Sequence, residues 1–133
     1  MSNNITLKEV IGHVEKFHDA FGIENKYKPT AEISEKEGQL RFDLMKEENE
    51  EYLEAVQAGD LVEIADALGD MLYILSGTML KHGMQDKIQA VFEEIQRSNM
   101  SKLDANGKAI YREDGKVLKS DLYFKPNIAA LLK

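Results

Sequence analysis

Apolar residues recur along this chain in four stretches of helical spacing. Val10, Val14, Phe17 and Phe21 share one face behind Thr6-Leu7-Lys8-Glu9, a capping box in which the Thr and Glu side chains satisfy each other's free backbone N–H groups. Gly22 supplies a stop, so a first helix is predicted over about 6–21. Residues 22–33 hold Pro29 and show no period, and they read as a long connection. Ser34-Glu35-Lys36-Glu37 is a second capping box. The segment from there to Ala58 is dense in Leu, Glu, Lys, Gln and Met, all good helix formers, and Gly59 ends it.

Asp60 caps a third helix with the stripe Leu61, Ile64, Ala65, Leu68, Leu72, Leu75 and Met79, closed by Gly83. A fourth is predicted over about 85–99 from Ile88, Val91, Phe92 and Ile95. Beyond residue 103 two short alternating runs flank Asp114-Gly115, a hairpin signal, and Pro126 opens a last helical turn or two. The pattern therefore predicts an all-α chain: one domain over 1–133, a four-helix bundle with a C-terminal hairpin and short-helix tail. There is no internal repeat. After Asp70 the third helix has no polar side, because Met71, Leu72, Tyr73, Ile74 and Leu75 follow one another. A helix apolar all round needs cover, so a homodimer or homotetramer is expected to complete the bundle.

Composition narrows the function. With 43% apolar residues among 133, one real core is within reach, and no apolar run reaches 18 residues. No basic-then-apolar leader precedes the first helix, so neither a membrane nor secretion is expected. The absence of cysteine excludes disulfides, thiolate zinc sites and cysteine nucleophiles, and a cytoplasmic location is expected. A net charge of -7 argues against binding a nucleic-acid polymer. The charge is also uneven: residues 1–96 carry 9 Lys and Arg against 20 Asp and Glu, residues 97–133 carry 8 against 4.

The acids are the chemical lead. Glu63, Asp66 and Asp70 stand at i, i+3 and i+7, within about 60° on a helix, at the start of an apolar segment where an unpartnered carboxylate is costly. On the matching face the preceding helix offers no answering cation, only more acid among Glu47, Glu48, Glu50, Glu51 and Glu54. Taken alone, such a run is the ordinary pattern of a solvated helix face. The turn at Gly59-Asp60 is too short for anything but antiparallel neighbours, however, so the two acidic stripes come level. Facing oxygen ligands without His or Cys describe a hard-cation site, with Mg²⁺ expected and Mn²⁺ able to substitute. Such a site serves phosphate chemistry, and a carboxylate not committed to metal can act as general base. Arg97, Lys102, Lys116 and Lys119 become candidate phosphate clamps with Asn99 beside them, although a hairpin Lys is more often merely solvated. Tyr73, Phe21 and Phe17 are candidates for stacking on a base, with core packing as the competing role.

Glu48-x-x-Glu51 followed by Glu63-x-x-Asp66 and Asp70 resembles the E-x-x-E…E-x-x-D signature of the all-α nucleoside triphosphate pyrophosphohydrolases, which include the MazG proteins, dimeric dUTPases and phosphoribosyl-ATP pyrophosphohydrolase. FHDAFG, LRFDLMKEENEEYLEA, EIADALGDMLYILSGTMLKHGM, VFEEIQRSNMSK and DGKVLK, in that order, are similar to a MazG-like branch labelled phosphoribosyl-ATP pyrophosphohydrolase-like. The resemblance covers nearly the whole chain. It implies a dimeric or tetrameric bundle, Mg²⁺ on the acids, and hydrolysis of a (deoxy)nucleoside triphosphate between its α and β phosphates in a housecleaning role. By motif match Glu48, Glu51 and Asp66 are implied metal ligands and Glu63 a ligand or base, with Glu48 and Glu63 the implied catalytic pair. Where MazG proteins usually read E-E-L-G-D, this chain has Asp66-Ala67-Leu68-Gly69-Asp70, which makes Asp70 the final ligand and leaves open which of Glu63, Asp66 and Asp70 touch metal. The SNMSK block resembles one near the substrate that reaches a neighbouring subunit's site. Three alternatives stand beside this reading. They are hydrolysis of phosphoribosyl-ATP, a non-catalytic nucleotide-binding helical oligomer, and a di-iron bundle, for which only Glu15-x-x-His18 has the required form.

Overall fold

The computed structural model describes residues 4–133, and its architecture is all-α apart from one minimal hairpin. In order come α1 (Leu7–Ala20), α2 (Glu35–Ala58), α3 (Leu61–Lys81), α4 (Ile88–Met100), strands β1 (Ile110–Tyr111) and β2 (Val117–Leu118), and a closing 3₁₀ turn (Ala129–Leu132). The chain divides into two compact units, Met1–Asp86 and Lys87–Lys133. Among the described residues, no helix is long and apolar enough to cross a membrane.

In the first unit the helix starts are written locally. Thr6 forms the reciprocal capping box with Glu9, Ser34 accepts from the Glu37 N–H, and Asp60 accepts from the Glu63 N–H. Gly59 ends α2 in the left-handed region (φ 66°), where a side chain would be strained, and its N–H and that of Asp60 close the last turn on Val56 O and Ala55 O. That cap reverses the chain in two residues, so α2 and α3 run antiparallel, with Ala55 and Ala67 buried close to the turn. α1 packs on α3, burying Ile11, Val14 and His18.

Residues 22–33 form an ordered strap along the C-terminal end of α3. Lys26 N–H donates to Leu80 O and Thr30 N–H to His82 O, each at 2.9 Å, while Gln85 Nε2 donates to Lys26 O at 2.7 Å.

The second unit begins with α4, which starts at Ile88, three residues later than the apolar spacing predicts. Lys87 offers no side-chain cap, so nothing extends the helix back toward Gln85. β1 and β2 pair antiparallel, Ile110 with Leu118 and Tyr111 with Val117, around the Asp114-Gly115 turn. The tail is tied to α4 by Ser98 Oγ, which donates to Phe124 O at 2.8 Å, and by Glu94, whose Oε2 accepts from the Asn127 N–H at 2.7 Å.

Candidate active site

The acids predicted from the sequence lie on the facing helices α2 and α3 of the first unit. Glu48 is half-buried where the other acids are exposed. Its Oε2 is buried and receives no hydrogen bond, the only carboxylate oxygen among the described residues in that position. A buried, unsolvated charge is costly, and the chain answers by keeping the proton: the Glu48 carboxyl is pushed up to about 7, first by burial, then by Glu51, with which it can share a proton and whose charge repels it. Asp70 on α3 and Glu47 add further repulsion. The structure thus brings Glu48, Glu51 and Asp70 into one electrostatic neighbourhood across the α2–α3 seam.

Glu51, Glu63, Asp66 and Asp70 are exposed in the chain alone, where sequence reasoning expected Asp66 and Asp70 to have little access to water. The expected screening was assigned to a second subunit. Among the described residues no three His, Asp or Glu side chains converge as metal ligands do. The donor set nevertheless fits a hard cation: all-oxygen ligands, an orphaned buried carboxylate oxygen, and like charges with no cation beside them. A divalent ion would supply what Glu48 Oε2 lacks. Glu48, Glu51 and Asp70 would hold it, with Asp66 and Glu63 one and two turns nearer the α2–α3 corner.

An aromatic group bridges α3 and the end of α1. Tyr73, one turn past Asp70, meets Phe17 edge-on at 5.6 Å, and Phe17 lies 4.4 Å from Phe21. All three remain exposed, Phe21 to 69%. They form a surface on which a planar ring can lie rather than a closed core.

The predicted phosphate clamps belong to the second unit. Arg97 is engaged locally: its Nε and Nη2 donate to Glu94 at 2.9 and 3.2 Å, and its guanidinium covers the Phe124 ring at 4.4 Å. Lys119 lies over Tyr123 at 4.6 Å, Lys116 and Asn99 are exposed, and Lys102 is partly buried, with its carbonyl bonded to the Ser120 N–H.

Sequence reasoning missed a buried polar group behind the acids. Arg41, two turns before Glu48 on α2, reaches α3 at Ile74 O and Thr78 Oγ1. His18 Nδ1 bonds Asn25 Oδ1 at 2.6 Å, and Lys81, 4% exposed, donates to Glu24 O at 2.7 Å and faces Glu37 at 3.5 Å. The available signal was the small polar run Ser76-Gly77-Thr78 interrupting the bulky apolar second half of α3. This group also argues against the di-iron reading, because His18 lies among Arg41 and Lys81 while Glu15 accepts from the Tyr27 hydroxyl at 2.7 Å.

Residues 14–99, roughly two thirds of the chain, match the family described as phosphoribosyl-ATP pyrophosphohydrolase. The matched span holds all five acids, the aromatic group, Arg97 and Asn99, and leaves out Lys102, Lys116 and Lys119. An uncharacterized protein of Acanthamoeba polyphaga mimivirus is 37% identical over 67 residues, covering 50% of this chain but only 27% of that protein's length.

Proposed function

The chain belongs to the phosphoribosyl-ATP pyrophosphohydrolase family, a family of nucleotide pyrophosphohydrolases, and from that premise we propose that it hydrolyses a (deoxy)nucleoside triphosphate between the α and β phosphates in a Mg²⁺-dependent reaction. The observation that carries this reading is the buried, donorless Glu48 Oε2, set among Glu51 and Asp70. The cation, when bound, neutralises phosphate charge and lowers the cost of generating hydroxide. Everything else falls to the chain. Glu48, Glu51, Asp66 and Asp70 supply the negative oxygens that hold the ion and so locate the phosphates. Glu63, at the first turn of α3 and exposed to solvent, is free to take a proton from the attacking water. The water oxygen bonds to the α-phosphorus, the bond to the bridging oxygen breaks, and the products are a nucleoside monophosphate and pyrophosphate.

Phe17, Phe21 and Tyr73 offer the base a stacking surface, of which Tyr73 stands one helical turn past Asp70. Arg97, Asn99, Lys102, Lys116 and Lys119 remain our candidates for contacting phosphate, and a homodimer or homotetramer in the cytoplasm remains the proposed state. The family's own description favours a second substrate, phosphoribosyl-ATP. Product analysis of a panel of nucleoside triphosphates plus phosphoribosyl-ATP with Mg²⁺ separates the two: our reading expects monophosphate and pyrophosphate from the triphosphates. Turnover of phosphoribosyl-ATP alone would replace it with the second reading, and no turnover of any member would leave a nucleotide-binding oligomer.

A further inference from the structure

Arg41 is a cation in an acidic helix, and it spends its hydrogen bonds on neutral groups. Its Nε donates to Thr78 Oγ1 at 3.0 Å and its Nη2 to Ile74 O at 2.9 Å. Thr78 Oγ1 in turn donates to the same carbonyl at 2.8 Å, so three bonds close on one point of α3. Among the described residues Arg41 forms no ion pair, although α2 carries eight acids. Gly77 makes the contact possible: a Cβ there would lie 2.7 Å from Arg41 Nη2 and 2.9 Å from His18 Nε2. A side chain at 77 would therefore lift the guanidinium off the helix.

The placement relates Arg41 to the acids on both sides. On α2 it stands seven residues before Glu48, on the same stripe. On α3 its acceptor, Ile74, is four residues past Asp70, so the Ile74 N–H and the Asp70 carbonyl share one rung of the helix ladder. A planar guanidinium making two directed bonds fixes axial position, which apolar side chains sliding over one another do not. We propose that Arg41 is a positioning residue: its fork on Ile74 O and Thr78 sets the register of α2 against α3, and so the separation of Glu48 from Asp70 across which the cation is held. This rests on the carboxylate site proposed above, and it adds that the site's geometry is set two turns away from the ligands.

The test is Mn²⁺ binding to the full chain, followed by the electron paramagnetic resonance signal of free Mn²⁺ well below each variant's melting temperature. Arg41→Lys keeps the charge but loses the fork, and Gly77→Ala keeps Arg41 but displaces it. Each is expected to weaken Mn²⁺ binding about tenfold or more, in the range seen when groups that orient metal ligands are removed. Val14→Ala, which trims a buried side chain of α1, lowers the melting temperature and leaves Mn²⁺ affinity unchanged, so general destabilisation does not mimic the effect. If Arg41→Lys does not fold, Thr78→Val, which keeps the shape and removes the hydroxyl, is measured in its place. Variant affinities within about twofold of the wild type overturn the positioning role while leaving the carboxylate site intact. A wild-type chain that binds no Mn²⁺ overturns both.

Discussion

Glu48 behaves differently from the other acids among the described residues because one of its oxygens is closed off from water without a donor. Its folded carboxyl titrates at about 7 against an ordinary value of 4.5, so between those values the folded state binds more protons than the unfolded one and stability falls as pH rises. The penalty is fully present above neutrality. Glu48→Gln removes it, so at pH 8 without metal the variant should melt higher than the wild type. A gain of about 1 kcal/mol, allowing for partial exposure, is roughly 3 to 5 °C in a chain of this size. Thermal melts check this, and an unchanged or lower melting point contradicts it. His18 carries the opposite sign. Burial, then Arg41 and Lys81, hold its pKa below 6.5 against the pull of Asn25 and Asp19. The unfolded chain takes that proton first, so the His18 contribution is whole above about 6.5 and is lost as pH falls below it. His18→Gln should therefore melt progressively closer to the wild type between pH 7.5 and 5.5, whereas parallel melting curves would show that the imidazole is not what titrates.

At the scale of elements, the helix-terminal strap depends on one close approach. Gly83, at φ 66°, lies so near the Lys28 backbone that a Cβ would come within 2.2 Å of its carbonyl oxygen. Gly83→Ala combines left-handed strain with a backbone clash and should cost about 2 to 4 kcal/mol, measurable by urea unfolding; a loss below about 1 kcal/mol would mean the strap yields freely. Neither the strap nor its anchor could be read from residues 22–33, because their order comes from main-chain bonds to a helix more than 50 residues on. The helices were legible for the opposite reason. Thr6, Ser34 and Asp60 cap what immediately follows them and Gly59 stops what precedes it, all local chemistry. The fourth helix was misjudged at its start, where no cap marks the boundary. The acidic stripes were legible from spacing and the short corner, but the contrast between half-buried Glu48 and exposed Asp66 was not. Arg41 was missed because a cation in a charged helix carries no mark of burial.

The whole chain leaves much of its apolar surface in water. Leu61 and Val62 are each 76% exposed, and Leu68, Leu72 and Leu75 on the same helix are exposed as well. A surface of that kind on a soluble monomer is costly and prone to association, which is why a second copy is expected over α3. Leu72→Glu should shift the mass measured by light scattering from a dimer or tetramer to a monomer and lower the melting temperature; a wild type already monomeric at micromolar concentration would remove the expectation. The carboxylates, however, decide the chemistry, and the decisive measurement is the Mg²⁺ dependence of pyrophosphate release from nucleoside triphosphates, wild type and Glu48→Gln side by side. Release by the wild type should saturate with Mg²⁺ and stop with chelator, and the folded variant should release none. Equal release by both would rule out a catalytic role for the acids.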